Sequence, residues 1–236
     1  MSKSMSKIIS SVIIALGVVI LGMCIKSGID NFSYSDRVVT VRGLAEKEVM
    51  ANKVTWPIVF KEMGNDLPQI YESINKTNNA IVGFLKTNGL AADEIEINAP
   101  DIIDMQADRY SSNNKPYRYN VTSVITVISE NVGLVNNLIS RQAELLKQGI
   151  AIVSDKYSYP TNYEFTDLNT VKPEMIAEAT RNAREAACKF AADSDSELGK
   201  IKTASQGQFS ISDRDEYTPY VKNVRVVTTI VYYLED

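Results

Sequence analysis

The feature that most constrains this chain is an uncharged apolar stretch near its start, residues 8–25, which reads IISSVIIALGVVILGMCI. As an α-helix, eighteen residues span about 27 Å, close to the thickness of the hydrocarbon core of a bilayer. A helix in the core of a soluble protein would show a polar face, but this stretch contains only two serines and two glycines to interrupt its apolar surface. The sequence therefore predicts a transmembrane helix over residues 8–25.

The charges that flank this stretch predict its orientation. Lys3 and Lys7 precede it, whereas Lys26 is soon offset by Asp30. Because positively charged flanks stay in the cytoplasm, we expect residues 1–7 to be cytoplasmic and the rest of the chain to lie across the membrane.

Two other readings of the stretch remain open. A cleaved signal peptide has a shorter apolar region and a small-x-small cleavage site, and no such site follows Leu21. A lipoprotein signal would use Cys24, but the bulky Met23 stands where a small residue is usual. An uncleaved anchor is thus favoured, with cleavage or lipidation at Cys24 as the alternatives.

Composition narrows the function. The 236 residues carry a formal net charge of −4, which does not suit a protein that must neutralise phosphates, so we expect no nucleic-acid partner. The chain has no histidine, which removes the usual general base near neutral pH and the commonest metal ligand. Its two cysteines are Cys24, inside the apolar stretch, and Cys188, so we expect no internal disulfide.

Hydrophobic periodicity after the anchor predicts an α+β fold. Residues 26–37 are small and polar and indicate a linker, and residues 38–236 form the folded domain. Strands are predicted at 38–44, 48–62, 94–100, 117–129, 151–166, 200–211 and 221–234. Three main helices are predicted at about 66–88, 132–148 and 173–194, the last with Pro173 in its first turn and an apolar face of Met175, Ile176, Ala179, Ala183, Ala186, Ala187 and Phe190.

The order of these elements predicts a layered domain. Strand, helix, strand, strand occurs twice, in residues 46–129 and 151–234. Helices on one face of a mostly antiparallel sheet, after an N-terminal transmembrane helix, are the expected architecture. The alanines of the third helix predict close approach to a sheet or another helix.

Four groups of residues are candidate sites. Asp101, Asp104 and Asp108 would share a face on a helix and could then bind Mg²⁺ or Ca²⁺, but the neighbouring strand pattern favours solvated acids on different faces. Asp213, Arg214, Asp215 and Glu216 predict a charged hairpin loop. Cys188 is either a reactive thiol or a half-buried small apolar residue. Tyrosines, numerous in the strands, either pack or line a small-ligand pocket: 110, 117, 119, 157, 159, 163, 217, 220, 232 and 233.

Several blocks of sequence, in order, resemble the SIMPL-domain (DUF541) family. They are VTVRGLAEKEVMANKVTWPIVF, LKTNGLAADEIEI, PEMIAEATRNAREAACKFAADSDSELGKI and VRVVTTIVYYLED, which together cover about residues 38–236. The resemblance implies a bacterial envelope or periplasmic protein. Some relatives are linked to oxidative-stress defence, some form ring-like oligomers, and animal relatives are signalling adaptors. Many relatives have a cleavable signal, whereas this chain looks anchored.

The resulting hypothesis is a non-enzymatic, single-pass protein of the bacterial inner membrane, whose periplasmic domain forms a homo-oligomer through strand edges and small-residue helix faces. No catalytic residue, cofactor or metal site is predicted, because the family has no agreed catalytic residues to carry over. The alternatives are a thiol-dependent antioxidant that uses Cys188 and an adaptor module that binds a small ligand or a protein partner.

Overall fold

The computed structural model of the protein describes residues 3–34, 37–107, 116–153, 155 and 157–235. The chain divides into two compact units. The terminal unit consists of Met1–Lys47, Val171–Ser210 and Arg225–Asp236, and the central unit consists of Glu48–Thr170 and Ile211–Val224.

The chain begins with helix α1, Lys3–Tyr34. Its apolar segment, Ser11–Ile29, is long enough to cross a membrane and is not buried inside the protein. A signal sequence would have the same properties, so the helix is a candidate span. The helix also continues through the residues predicted as a linker as far as Tyr34, because residues 26–34 contain no proline to interrupt it.

The terminal unit is built on an antiparallel sheet. Its strands β1 (Val38–Met50), β9 (Val221–Glu235) and β7 (Glu197–Gln206) lie in the order β1-β9-β7. The alternation predicted for the last strand is confirmed, since every second side chain is buried: Val224, Val226, Thr228, Ile230 and Tyr232.

Helix α5, Leu168–Asp193, covers this sheet through alanines at every fourth position. Ala183 and Ala187 form one core cluster with Val41, Ile230 and Tyr232. A methyl group added at Gly43 of β1 would lie 1.8 Å from the carbonyl oxygen of Ala179. The predicted close approach of this helix to a sheet is therefore confirmed, and the alanine face is already used inside the terminal unit.

Two details predicted for α5 are wrong. The helix begins at Leu168, so Pro173 lies inside it rather than in its first turn. The first turn forms earlier because the Thr170 amide donates to the Asp167 carbonyl over 3.0 Å. Phe190 is 61% exposed. The buried positions of α5 recur every four residues, at Ala187 and Ala191, so Phe190 lies on the face that points to solvent.

The central unit contains the larger core. Strand β2 (Lys53–Gly64) pairs with β5 (Tyr119–Ser129) from Val54↔Ser129 to Gly64↔Tyr119. The short strands β3 (Ile95–Ile97) and β4 (Asp101–Asp104) pair with β5, and β6 (Asn162–Glu164) pairs with β2, which gives the order β3-β5-β2-β6. The predicted inward faces are buried: Val54, Trp56, Ile58 and Phe60 on β2, and Val121, Ser123, Ile125 and Val127 on β5.

Pro57 occupies the edge-like position that the sequence predicts. Strand β6 pairs only with Lys53–Thr55 of β2, so no β6 residue lies opposite Pro57. On its other side Pro57 lies opposite Thr126 of β5. The missing amide hydrogen of proline therefore costs no ladder bond to β6.

Helix α2, Leu67–Thr87, lies against this sheet and has the predicted ends. The Asp66 carboxylate accepts a hydrogen bond from the Gln69 amide over 3.2 Å, which caps the first turn. Gly89 follows the last turn with a φ of 101°, a conformation that favours glycine. Ile70, Ile74, Ile81 and Leu85 are its buried stripe.

The second predicted helix is interrupted. Helix α3 spans Val132–Arg141, and a short helix α4 spans Ala143–Leu146. Around Gln142 the amides bond three residues back, to Ile139 over 3.4 Å and, from Leu145, to Gln142 over 3.0 Å. This tighter turn keeps the apolar stripe, because Leu145 is still fully buried.

The long strand predicted at 151–166 is wrong. Among the described residues of this range, the extended pairings are an isolated bridge at Ile152 and the three-residue strand β6. The Asp155 carboxylate accepts from the amides of Tyr157 and Ser158, each over 3.1 Å, so these residues form a turn. The last predicted strand pair also differs, since residues 200–211 divide into β7 and a short strand β8, Ser210–Asp213.

The predicted fold class is confirmed as α+β with antiparallel sheets after an apolar N-terminal helix. The repeated order of strand, helix, strand, strand is present in both runs, with one additional short strand in each: β2-α2-β3-β4-β5 and β6-α5-β7-β8-β9.

Substitution of Gly43 by alanine tests the close approach of β1 and α5. The added methyl group would overlap backbone atoms of Ala179 and Ala183, so we expect Gly43→Ala to lower the free energy of unfolding by about 3 kcal/mol. The matched control is Gly83→Ala in α2, where nothing lies within 4 Å and a gain of about 0.5–1 kcal/mol is expected. Denaturant unfolding of the full chain in detergent measures both. Equal stability of the two variants would contradict the contact.

Candidate functional site

Two of the three aspartates considered as a metal site lie on strand β4. Asp101 and Asp104 lie three residues apart on strand β4, so their side chains point to opposite faces, as the strand reading predicts. Asp108 lies outside the described residues. Among the residues that the structure describes, no group of three acidic or cysteine side chains could hold a metal ion.

Asp104 is engaged by Arg118 instead. The Arg118 guanidinium donates from Nε and Nη2 to one carboxylate oxygen over 3.1 and 2.9 Å, and the Gln106 amide donates to the other over 3.0 Å. These donors lower the pKa of Asp104, the Arg118 hydrogen bond contributing most. The carboxylate is thereby held ionised as an anchor for the start of β5.

The charged loop predicted at Ser212–Tyr220 is the hairpin between β8 and β9. The Asp215 carboxylate accepts from the amides of Tyr217 and Thr218 over 2.8 and 2.7 Å and from the Thr218 hydroxyl over 2.5 Å. Arg214 donates to Asp215 over 3.0 Å and to Glu48 over 3.2 Å. Asp213 forms an ion pair with Lys222, whose side chain is almost buried. These charges therefore stabilise the turn, as the hairpin reading predicts.

Cys188 lies exposed on α5 as a free thiol, and Cys24 is exposed on α1. The prediction of a half-buried Cys188 is wrong, because the residue follows the buried Ala187 on the side of the helix that faces solvent. A reactive thiol needs exposure to solvent and a neighbouring group that favours the thiolate, and Cys188 meets the first of these requirements.

The tyrosines do not gather around a pocket in the residues that the structure describes. Tyr163 is buried, donates to the Asn136 side chain over 2.5 Å and packs edge-to-face against Tyr220 with 6.1 Å between ring centroids. Burial raises the pKa of Tyr163, so the phenol stays protonated. Tyr232 is also buried, whereas Tyr157 and Tyr217 point into solvent. Tyr110 lies outside the described residues.

A concave site that the sequence did not predict is an apolar groove of about 450 Å³ in the central unit. It lies between the start of α2 and strand β4. Its lining contains only apolar side chains and one tyrosine: Leu67, Pro68, Ile70, Tyr71, Ile74, Pro100, Ile102 and Val121. Ile70, Ile74 and Val121 are buried and form the floor, whereas Leu67, Tyr71 and Ile102 remain exposed and form the rim.

The groove exists because α2 covers the sheet incompletely. Ile102 lies opposite Val121 and Ile97 lies opposite Ile125, so both side chains point to the face on which β5 is buried. They are nevertheless about half exposed, at 52% and 51%. In the sequence, the groove is signalled by this pair of isoleucines on either side of Asn98-Ala99-Pro100, whose strand pattern does not show whether a helix covers them.

The groove borders an open strand edge. The Met105 amide donates to the Arg118 carbonyl over 2.8 Å, and the Asn98 amide donates to the Val124 carbonyl over 3.0 Å. Because an antiparallel ladder alternates bonded and outward-pointing residues, the backbone N–H and C=O of Ile102 and Ile97 point away from β5. The described part of the chain has no strand on that side.

Fold and surface define an α+β protein with an apolar N-terminal helix and an apolar groove at a sheet edge. The family model for SIMPL, a protein of unknown function (DUF541), matches residues 39–229, so the chain belongs to the SIMPL family. No curated protein matches the chain significantly.

Acid titration tests the role of Asp215. Its hydrogen bonds from Thr218 and Arg214 lower its pKa from 3.8 to about 2. Since the folded pKa is depressed, its contribution to the turn is complete above pH 3.8 and disappears as pH falls through about 2. NMR of the Thr218 amide should therefore report a transition near pH 2, which Asp215→Asn removes. A transition near pH 4 would contradict the assigned hydrogen bonds.

Proposed function

We propose that this protein is a non-enzymatic, single-pass protein of the bacterial inner membrane, whose folded domain self-associates in the periplasm. The observation that carries the proposal is the apolar segment Ser11–Ile29 of α1. Nineteen exposed residues with a single charge, Lys26, are costly in water and match a bilayer in length. A permanent span relieves that cost without any partner.

The orientation rests on the charges around the span. Lys3 and Lys7 precede it, and the acidic balance of the remaining chain follows it. This distribution favours a cytoplasmic start and a periplasmic domain.

A binding role is favoured over catalysis by how the charged groups are used. Asp104, Asp215 and Arg141 each have an ionic partner, at Arg118, Arg214 and Glu144 respectively. No histidine is present to act as a base near neutral pH. These three ion pairs hold turns and strand ends together, which is a structural role.

Self-association is supported by the strand edges of the terminal unit. In the order β1-β9-β7, strands β1 and β7 each have a strand partner on one side only within the described residues. β7 is ten residues long and almost wholly exposed. Such an edge can pair with the edge of a second copy. The alanine face of α5 does not contribute, because it is buried against β1.

The native thiols test the topology. In bacteria with a permeabilised outer membrane, a membrane-impermeant maleimide should label Cys188, which is exposed. Cys24, within the span, should stay unlabelled, so Cys188→Ser should lose all labelling. The protein should also stay in the membrane after carbonate washing. Labelling that requires lysis of the inner membrane, or a soluble product that has lost residues 1–25, would overturn the anchor or its orientation.

Chemical cross-linking of the full chain in isolated membranes tests self-association. We expect dimers or higher species, and fewer of them for Ile201→Lys, because a charge on an edge strand blocks edge-to-edge pairing. Phe190→Lys is the matched control, since Phe190 is similarly exposed (61% against 53% for Ile201) but lies on α5. Only monomers in the unsubstituted protein, at its cellular concentration, would remove this part of the proposal.

The second candidate is a thiol-dependent antioxidant, and the exposure of Cys188 favours it. Cys188→Ser should then abolish protection against peroxide while leaving the cross-linked species unchanged. Full protection by the Ser variant would discard this candidate and leave a role in envelope or oxidative-stress defence to self-association alone.

A further inference from the structure

We propose that the groove between α2 and β4, together with the open edge of β4, binds an extended peptide segment of a partner protein that alternates apolar and basic side chains. The peptide would add a strand beside β4 and insert an apolar side chain into the groove. This goes beyond the proposed function, because it uses the central unit, whereas the proposed self-association uses the edges of the terminal unit.

The apolar part of this recognition comes from the groove lining. The eight lining residues contain no charged side chain, and the only polar side-chain atom among them is the Tyr71 hydroxyl. Such a surface gains free energy when an apolar group removes it from water, at about 25 cal/mol for each Å² covered. Its volume of about 450 Å³ has room for a large aliphatic or aromatic side chain.

The extended conformation of the partner follows from Ile102. Its side chain lines the groove, and the register of the β4–β5 ladder turns its backbone N–H and C=O to the open edge. A purely lipid-like ligand would fill the groove and leave these backbone groups unused. A peptide strand uses both the groove and the open backbone groups, because its backbone pairs along the edge while alternate side chains face the groove.

The basic part comes from the charges on the same edge. Residues 93–104 contain no basic residue and five carboxylates, of which Asp104 is paired with Arg118. The other four are Asp93, Glu94, Glu96 and Asp101. Glu96 lies opposite Thr126 and Asp101 lies opposite Thr122, so both point to the face away from the groove. A strand beside them would place its alternate residues next to these two carboxylates. Lysine or arginine at those positions complements the charge, whereas acidic residues would be repelled.

The test uses the full chain in phosphatidylcholine nanodiscs, whose lipid has no net charge to attract a basic probe. The probe is the fluorescein-labelled peptide Lys-Val-Lys-Phe-Lys-Val-Lys, and its binding is followed by fluorescence anisotropy against empty nanodiscs. We expect saturable binding of one peptide per chain. The analogue with glutamate in place of every lysine should bind at least about tenfold more weakly.

A second probe isolates the backbone pairing. The same peptide with N-methyl groups on alternate backbone nitrogens keeps every side chain and charge but cannot donate along an edge. We prepare both phases of methylation, one of which blocks the nitrogens that face β4. At least one phase should bind about tenfold or more weakly, because strand addition requires those donors.

Ile102 and Ile103 provide matched variants. They are neighbours on β4 with exposures of 52% and 50%, but Ile103 points to the other face and its backbone bonds to β5. We expect Ile102→Ser to weaken peptide binding at least about tenfold and Ile103→Ser to change it less than about twofold. Thermal unfolding of both variants shows whether each remains folded.

Three results would overturn the proposal: no saturable binding up to about 1 mM peptide, equal binding of both N-methylated peptides and the parent, or equal loss in the two serine variants. If instead Ile102→Ser abolished the cross-linked oligomers and the peptide did not bind, the open edge of β4 would be a surface for self-association and not for a peptide. Failure of self-association with intact peptide binding would leave this inference standing.

Discussion

The close approach of helix α5 to strand β1 is the constraint on which the terminal unit depends. Gly43 has no side chain, and the helix presents alanines at every fourth position, so backbone meets backbone across the contact. A larger residue on either side would push the helix off the sheet and expose Val41, Ile230 and Tyr232. The alanines of α5 therefore form an internal packing surface rather than a face for helix self-pairing, and any self-association must use another feature such as the strand edges.

The described residues offer apolar surfaces more than clustered reactive groups. The charged clusters of the sequence belong to turns and strand ends: Asp215 organises the β8–β9 hairpin, and Asp104 fixes Arg118. Among the described residues, in contrast, apolar surface is left uncovered along α1 and in the groove beside β4. The length of α1 suits a bilayer, and the open strand edge beside the groove suits a peptide strand. Both proposals therefore concern attachment and recognition.

Local patterns predicted most of the fold. Alternation identified the long strands β2, β5 and β9 because one face of each is buried and the other is not, and Asp66 and Gly89 marked the ends of α2. Prediction failed where a local hydrogen bond competed with periodicity, as at Asp155, whose turn replaces a strand, and at Gln142, where tighter bonds divide a helix. The groove could not be predicted, because it depends on how far α2 reaches across a sheet whose edge strands, β3 and β4, are only three and four residues long.

The position of β9 in the sheet has a consequence for biosynthesis. This strand lies between β1 and β7, yet it is the last element of the sequence. During synthesis, β1 emerges early and can pair with β9 only after β9 has been made, whereas nearly all of the central unit precedes β9 in the sequence. A chain that lacks β9 would have β1 and β7 with no strand between them. Loss of β9 would therefore divide this sheet rather than remove one of its edges.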